Sequence, residues 1–294
     1  MKEIAVILIN YNTSTYTLQC VEKVFEKTNS KISIEVIVVD NNSDKKDYIN
    51  LCKNLKDIEN VKLIKSEVNT GFGGGNNLGF SNSNSKYVLF LNNDAFLMND
   101  CIEICRDLLE KNIHIGLLGA QNYDQHNKPV RSFDHNKGFR KMIFGRSFLT
   151  WMNALEYPDV KKEYFDPIAV NWISGAFMFM RSEDFRKIGC FDSNIFLYFE
   201  EMDLAFRLKK LCKETFLVPN AKIIHIQGQS TSRNKRLSEE GLISFLHVVR
   251  KNYGFLKNLL FRFYFIITIT IKPKKWCYYK ILFSVNPKKY SLRP

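Results

Sequence analysis

The sequence predicts an α/β fold, a mainly parallel sheet flanked by helices, followed by a basic, aromatic, helical tail. Three observations predict it. Residues 4–9 form a continuous apolar run with the character of a strand buried on both faces, and the largely apolar runs at 34–39, 61–65 and 86–91 read as three further strands. Segments of helical character separate them, so that parallel pairing with right-handed crossovers follows. Three of the runs end in polar clusters: Asn10-Tyr11-Asn12, Asp40-Asn41-Asn42-Ser43 and Asn92-Asn93-Asp94. Turns favour Asn and Asp for their own reasons. Three such clusters at the carboxyl ends of parallel strands, however, mark the place where sheets of this kind bind ligands.

The elements follow in order. After the first strand, Thr13 or Ser14 caps a helix that turns Leu18, Val21, Val24 and Phe25 inward. The second strand leads to a helix over 47–55, then to the short third strand. Residues 69–79 hold Gly71, Gly73, Gly74, Gly75 and Gly79. They lack the Gly-Lys-Ser/Thr ending of a phosphate-cradling loop. The glycines let backbone approach a ligand closely, with Asn76 and Asn77 adding polar contacts, or they form a flexible loop and helix start. The fourth strand ends at Asn92. Residues 122–166, polar and aromatic with weak periodicity, read as a mobile insertion on the acceptor side. Residues 177–180 form a strand, Ser182 opens a helix that Gly189 ends, and 203–210 are helical. Short strands at 216–218 and 223–226 complete the domain, which runs over residues 1–240.

Charge divides the chain at the same place. The net charge is +13, yet residues 241–294 hold 11 Lys or Arg and no Asp or Glu, which leaves 32 basic against 30 acidic residues in the first 240. In the tail, Phe255, Leu256, Leu259, Leu260, Phe263 and Phe265 are interspersed with Lys257 and Arg262. A helix lying in the headgroup layer of a membrane has this composition. A contact between two copies of the chain, as a homodimer, is the other reading. Apolar content this strong and the lack of a recognised motif speak against nucleic acid. No stretch reaches the ~20 apolar residues of a membrane span, and the N-terminal run is too short for a secretory leader. Seven cysteines, an odd number without zinc spacing, fit a reducing cytosol. Cys101 and Cys105, four apart on a helix, read as buried small residues. The expected location is cytoplasmic, peripheral on the inner face of the membrane.

The ordered set of residues 6–12, 39–43, 69–79, 91–94, 172–176, 199–203 and His225 resembles glycosyltransferase family 2, with the GT-A (Rossmann-like) fold, in its rhamnosyltransferase-like bacterial branch. The resemblance covers roughly residues 3–235, with Gly228, Ser230 and Thr231 continuing the pattern after His225. It implies an inverting transferase that moves a sugar from a nucleotide-diphosphate donor, dTDP-L-rhamnose or a UDP-hexose, to a hydroxyl of a lipid-linked or polysaccharide acceptor in cell-surface glycan synthesis. A non-catalytic nucleotide-sugar or glycan-binding protein on the same fold is the alternative.

The resemblance also implies roles for particular residues. Asp94, the last acid of a motif that reads Asn92-Asn93-Asp94 here, would bind Mg²⁺ or Mn²⁺, and His225 is either its second ligand or an ordinary strand-end histidine. Asn10, Tyr11, Asn12, Asp40, Asn42, Gly71, Gly73, Gly74, Asn76 and Asn93 would line the donor. Inversion needs a base opposite the leaving diphosphate. Glu201 takes that role, with Glu200 and Asp203 supporting its geometry or touching the acceptor sugar. Part of this acidic cluster also suits a helix N-terminus. Gly175 and Trp172 fall on the acceptor side, where Trp172 either stacks on a sugar face or belongs to the core.

Overall fold

A computed structural model describes residues 2–136, 138–226 and 235–294. Gly228, Ser230 and Thr231 lie outside the described residues. The first half alternates as expected: β1 (Ile4–Asn10), α1 (Ser14–Lys27), β2 (Ile34–Asp40), α2 (Lys45–Leu55), β3 (Val61–Lys65), α3 (Gly71–Ser81) and β4 (Tyr87–Asn92). Then come β5 (Ala95–Leu97), α4 (Cys101–Lys111), β6 (Ile115–Tyr123), β7 (Phe133–Asp134), α5 (Phe139–Met152), β8 (Ile168–Val170), β9 (Trp172–Ile173), β10 (Phe177–Arg181), α6 (Ser182–Lys187), α7 (Glu200–Lys210) and β11 (Glu214–His225). The C-terminal part holds α8 (Lys235–Tyr253), α9 (Phe255–Thr270) and α10 (Tyr279–Leu282), with 3₁₀ turns at Pro273–Tyr278 and Pro287–Tyr290.

The main sheet runs β3-β2-β1-β4-β10-β6-β11-β5, with β8 added beside β11. Strands β3, β2, β1 and β4 are parallel to one another, whereas β10 is antiparallel to β4. Alternate residues of the apolar strands enter opposite faces. Val6, Leu8, Val36, Val38 and Leu89 pack with Cys20, Val21, Leu51, Cys101 and Cys105 from α1, α2 and α4. Ile7, Ile37, Val39 and Phe90 pack on the other face with Phe80, Phe185, Phe191, Leu204 and Leu208. Burial on both sides explains why the runs are continuous rather than alternating. Each such side chain contributes about 1.5–3 kcal/mol. All seven cysteines are free thiols, and Cys101 and Cys105 are core residues as expected.

Several local readings change. The glycine-rich stretch is a helix rather than a loop, and its glycines let α3 lie close against the strands. A Cβ on Gly79 would stand 2.5 Å from Ile7 Cγ2, and one on Gly71, at φ +75°, 2.0 Å from the Phe196 carbonyl oxygen. Thr13 makes no side-chain cap; Asp47 of α2 takes that role by accepting from the Ser14 amide at 2.9 Å. The two short strands near 216 and 226 are one strand, β11, with an irregularity between Val218 and Lys222. The insertion at 122–166 carries β7 and α5, and its Asp134 holds Lys141 and Arg146. Residue 240 falls inside α8, which packs on α7 through Val248 and Met202. The tail beyond that helix also meets the earlier chain, through Tyr264 with the Met142 carbonyl and Lys288 with Asn194.

Candidate active site

Register brings the polar clusters together. Asn10 pairs opposite Asp40, and Ile9 opposite Asn92, so the first two clusters share one sheet edge with the third. Asn10 is wholly buried. Its amide donates to Asp40 Oδ1 at 3.0 Å, Ser43 Oγ at 3.0 Å and Asp47 Oδ2 at 2.7 Å, and its oxygen accepts from Thr17 at 2.8 Å. Thr17 in turn accepts from Asn93 Nδ2 at 2.8 Å, and Thr13 accepts from the same amide at 2.7 Å. One chain of hydrogen bonds therefore ties Asp40 to the strand end that carries Asp94.

This network shows how the residues expected to line the donor are held. Asn10 is saturated by protein partners, and Asp40 is enclosed, accepting from Asn10 and from the Ser43 amide at 3.2 Å. Asn76 is buried with its amide on the Phe72 carbonyl, while Gly73 and Gly74 pack against Phe191 and Thr70. These groups shape the rim through contacts within the protein. Tyr11, Asn12 and Asn42 are exposed on that rim. Asn12 and Asn42 both adopt the left-handed conformation, at φ 56° and 66°, which turns the chain sharply at each strand end. Asn41, buried behind them, fixes the start of α3 by bonding Thr70 N at 3.0 Å and the Gly71 carbonyl at 3.1 Å.

Asp94 differs from Asp40. It is nearly buried, yet Oδ1 has no hydrogen-bond partner and stands 3.3 Å from His225 Nε2. Pairing of β11 with β5 sets His225 opposite Ala95 and so delivers the imidazole to the acid. A buried carboxylate oxygen with no donor is costly unless something else binds it. An oxygen and an imidazole nitrogen facing each other fit a divalent cation such as Mn²⁺, with phosphate oxygens completing the shell. Among the described residues, no group of three or more acids, histidines or cysteines forms a fuller cage.

The catalytic candidates arrive from the other side. The Asn92 amide donates to the Ala176 carbonyl at 3.0 Å, which locks β4 to the 174–176 segment. A Cβ on the neighbouring Gly175 would lie 3.9 Å from Glu201 Oε2, so the Glu201 carboxylate reaches over Gly175 toward the end of β4. Tyr198 and Phe199 precede α7 in consecutive left-handed conformations, at φ 73° and 68°. Two non-glycine residues held this way store backbone strain, a common mark of functional turns. Glu200 is buried, with Oε1 unpartnered. Burial pushes its carboxyl well above the ordinary glutamate range, and the adjacent Glu201 adds to the rise.

Two of the expected residues are enclosed by protein. Asp203 is wholly buried and held by Arg207 at 2.8 Å, Lys251 at 3.0 Å and Asn252 at 2.9 Å, an arrangement that suits support of the local geometry. Trp172 is a core residue. Its indole N–H donates to the His135 carbonyl at 3.0 Å and its ring packs with Ile195, Met202 and Val248. The loop before α7 is further pinned by α8. Asp192 accepts from Lys251 at 2.8 Å and meets His247 at 3.0 Å, and Ser244 donates to the Leu197 carbonyl at 2.8 Å. Burial raises the Asp192 carboxyl, but His247 and Lys251 outweigh it and hold it well below the usual range.

Sequence reasoning passed over Asp47 and Thr17. Thr17 carried a signal, a polar residue on the inward stripe of α1. Asn77, expected to add polar contacts, exchanges two hydrogen bonds with the Phe191 backbone across 114 residues.

Residues 5–189 match the glycosyl transferase family 2, and the chain belongs to that family of glycosyltransferases. It is 25% identical to rhamnosyltransferase WbbL of Escherichia coli over 231 residues, covering 75% of this chain and 82% of that protein. Over a shorter stretch of 65 residues it is 37% identical to an N-acetylglucosaminyl-diphospho-decaprenol L-rhamnosyltransferase of Mycobacterium tuberculosis, covering 22% of this chain and 21% of the relative. The fold is GT-A. The mannosyltransferase PcManGT of Pyrobaculum calidifontis, solved with GDP-Man and Mn²⁺, superposes with a TM-score of 0.60 at 13% identity, over 85% of this chain and 64% of its own.

Proposed function

We propose that this protein transfers a sugar, with inversion, from a nucleoside-diphosphate donor to a hydroxyl of a lipid-linked or polysaccharide glycan. The observation that carries the reading is the convergence of the Asp94–His225 pair and the Glu201 carboxylate on one strand end. Tyr11, Asn12 and Asn42 face the nucleotide from the rim, over a base made rigid by Asn10 and Asp40. Asp94 and His225 would hold Mg²⁺ or Mn²⁺, which would supply positive charge against a departing diphosphate. Glu201 takes the proton of the attacking hydroxyl. Burial, with the adjacent Glu201, pushes the Glu200 carboxyl above the ordinary glutamate range, which suits Glu200 to a supporting role beside the base. L-rhamnose from dTDP-rhamnose is the preferred donor, on the likeness to the two rhamnosyltransferases, with a UDP-hexose next.

The tail holds the enzyme at a membrane surface. Phe255, Leu256, Phe263, Ile267 and Ile271 of the α9 region are exposed among Lys and Arg side chains with no acid after residue 240 to offset them. Such a surface complements anionic lipid. Among the described residues no helix is long and apolar enough to cross a membrane. Glu201→Gln decides the central claim. Transfer should fall by about 10²–10⁴-fold, while dTDP or UDP with Mn²⁺ still raises the melting temperature as in the wild type. Unchanged turnover would remove Glu201 as the base.

A further inference from the structure

A cationic cluster lies between the catalytic cleft and the exposed apolar surface. Asp134 is buried in β7 and faces three cations. Lys141 Nζ is 2.6 Å from its Oδ1, Arg146 grips both oxygens at 2.8 and 2.7 Å, and Arg131 Nη1 stands 3.6 Å from Oδ2. Three basic side chains thus face one carboxylate, and although burial lowers the Lys141 pKa, the two guanidiniums alone outnumber the acid. Burial raises the Asp134 carboxyl, but Arg146 and Lys141 outweigh it and keep it ionised. Lys141 is enclosed, whereas the Arg131 side chain is 53% exposed and that of Arg146 39%. Those two guanidiniums are the ones open to a ligand.

Its surroundings say what ligand. On one side, Phe133 and Asp134 pair with Ile173 and Trp172, and the Ser174 amide donates to the Ser132 carbonyl at 2.8 Å. Ser174 adjoins Gly175, over which Glu201 lies, so the cluster sits one strand from the proposed base. On the other side, α5 carries both Lys141 and Arg146 and exposes Ile143, Phe144 and Trp151. Tyr264 Oη of α9 donates to the Met142 carbonyl at 3.0 Å, and Met142 packs on Phe245, Val249 and Phe261. The apolar faces of α5 and α9 therefore adjoin, with the guanidiniums between them and the cleft.

We propose that Arg131 and Arg146 bind the diphosphate of a polyprenyl-diphosphate-linked acceptor, with its chain lying along α5 and α9 and its sugar directed to Glu201. Guanidinium forks match phosphate oxygens, and the order apolar face, cations, base reproduces the order lipid, diphosphate, sugar in such a molecule. The inference rests on the transferase reading above and assigns α5, an insertion between β7 and β8, to acceptor selection.

The test uses the whole protein and farnesyl diphosphate carried in phosphatidylcholine vesicles, with farnesol in the same vesicles as control. Co-sedimentation should show tighter binding to the diphosphate, weakened about tenfold by Arg131→Ala. Arg146→Lys, which retains the charge beside Asp134 but not the fork, should weaken it less. Vesicles of phosphatidylglycerol without farnesyl diphosphate should bind wild type and Arg131→Ala alike. Equal binding of farnesyl diphosphate and farnesol would overturn the proposal. So would full retention in Arg131→Ala, or an equal loss on phosphatidylglycerol, which would make the cluster a contact for bulk anionic headgroups. The melting shift by dTDP or UDP with Mn²⁺ is read in parallel. It should match between wild type and variants, and its absence in the wild type would count against the transferase reading instead.

Discussion

Two acidic strand ends, built from the same residue types, are finished in opposite ways. At the end of β2, Asp40 accepts from Asn10 and Ser43, and Asn10 is itself saturated by Ser43, Asp47 and Thr17. Beyond the end of β4, Asp94 keeps a buried oxygen without a donor, facing an imidazole at 3.3 Å. Glu200, across the cleft, likewise keeps an unpartnered oxygen. A satisfied network stabilises the fold and holds its shape. An unsatisfied one costs stability by itself and is consistent with a missing ligand. The comparison teaches that an acid at a strand end is not by itself a binding group; its remaining hydrogen-bond capacity decides.

That contrast can be broken by substitution. Of the substitutions at the two strand ends, the largest effect belongs to Asp94→Asn, which keeps the volume but removes the charge. Transfer should fall about 10–100-fold or more, and the melting-temperature rise given by Mn²⁺ with nucleotide should disappear while the metal-free protein melts at or above the wild-type temperature. A drop in metal-free stability would show that Asp94 is a structural acid like Asp40. Asn10→Ala should behave in the reverse way. It strands Asp40, Asp47 and Thr17 and should cost about 1–3 kcal/mol of unfolding free energy, read by urea denaturation, with the metal response retained in the folded fraction.

The smallest effect is that of Glu200→Gln, and it depends on pH. The Glu200 carboxyl is raised in the folded state, so the folded protein binds its proton more tightly than the unfolded chain does. Its contribution is fully present below the ordinary glutamate value of 4.5 and is lost as pH rises through the folded value. The melting temperature of Glu200→Gln relative to wild type should therefore climb as pH rises above that range. A difference that stays flat with pH would mean that Glu200 is ionised in the fold.

The alternation of strands and helices, the position of the polar clusters and the acids at 200–203 were all legible from residue order. Asp94, His225, Glu200 and Glu201 could be named as candidates from residue order because each lies at or beside the end of an element whose pattern is visible. What residue order left unseen has a common cause. The protein partners of Asn10, Asn76, Asp203 and Trp172 come from other elements or other turns of the chain, and residue order does not show them. Asp203 is held by Lys251 and Asn252 from a helix that composition alone had placed with the tail.

By itself the sequence determined which segments become buried strands, since continuous apolar runs can only be sheltered by helices on both faces, and where the turns between them lie, since Asn, Asp and Gly tolerate the backbone those turns need. Tertiary structure alone decided which polar groups remain open. Hydrogen-bond satisfaction depends on contacts across distances such as the 37 residues from Asn10 to Asp47 or the 114 from Asn77 to Phe191, and no local pattern records them. The juxtaposition of α5 with α9, and of Arg131 and Arg146 with the cleft, is of the same kind: elements distant in sequence share a surface only because the sheet between them is complete.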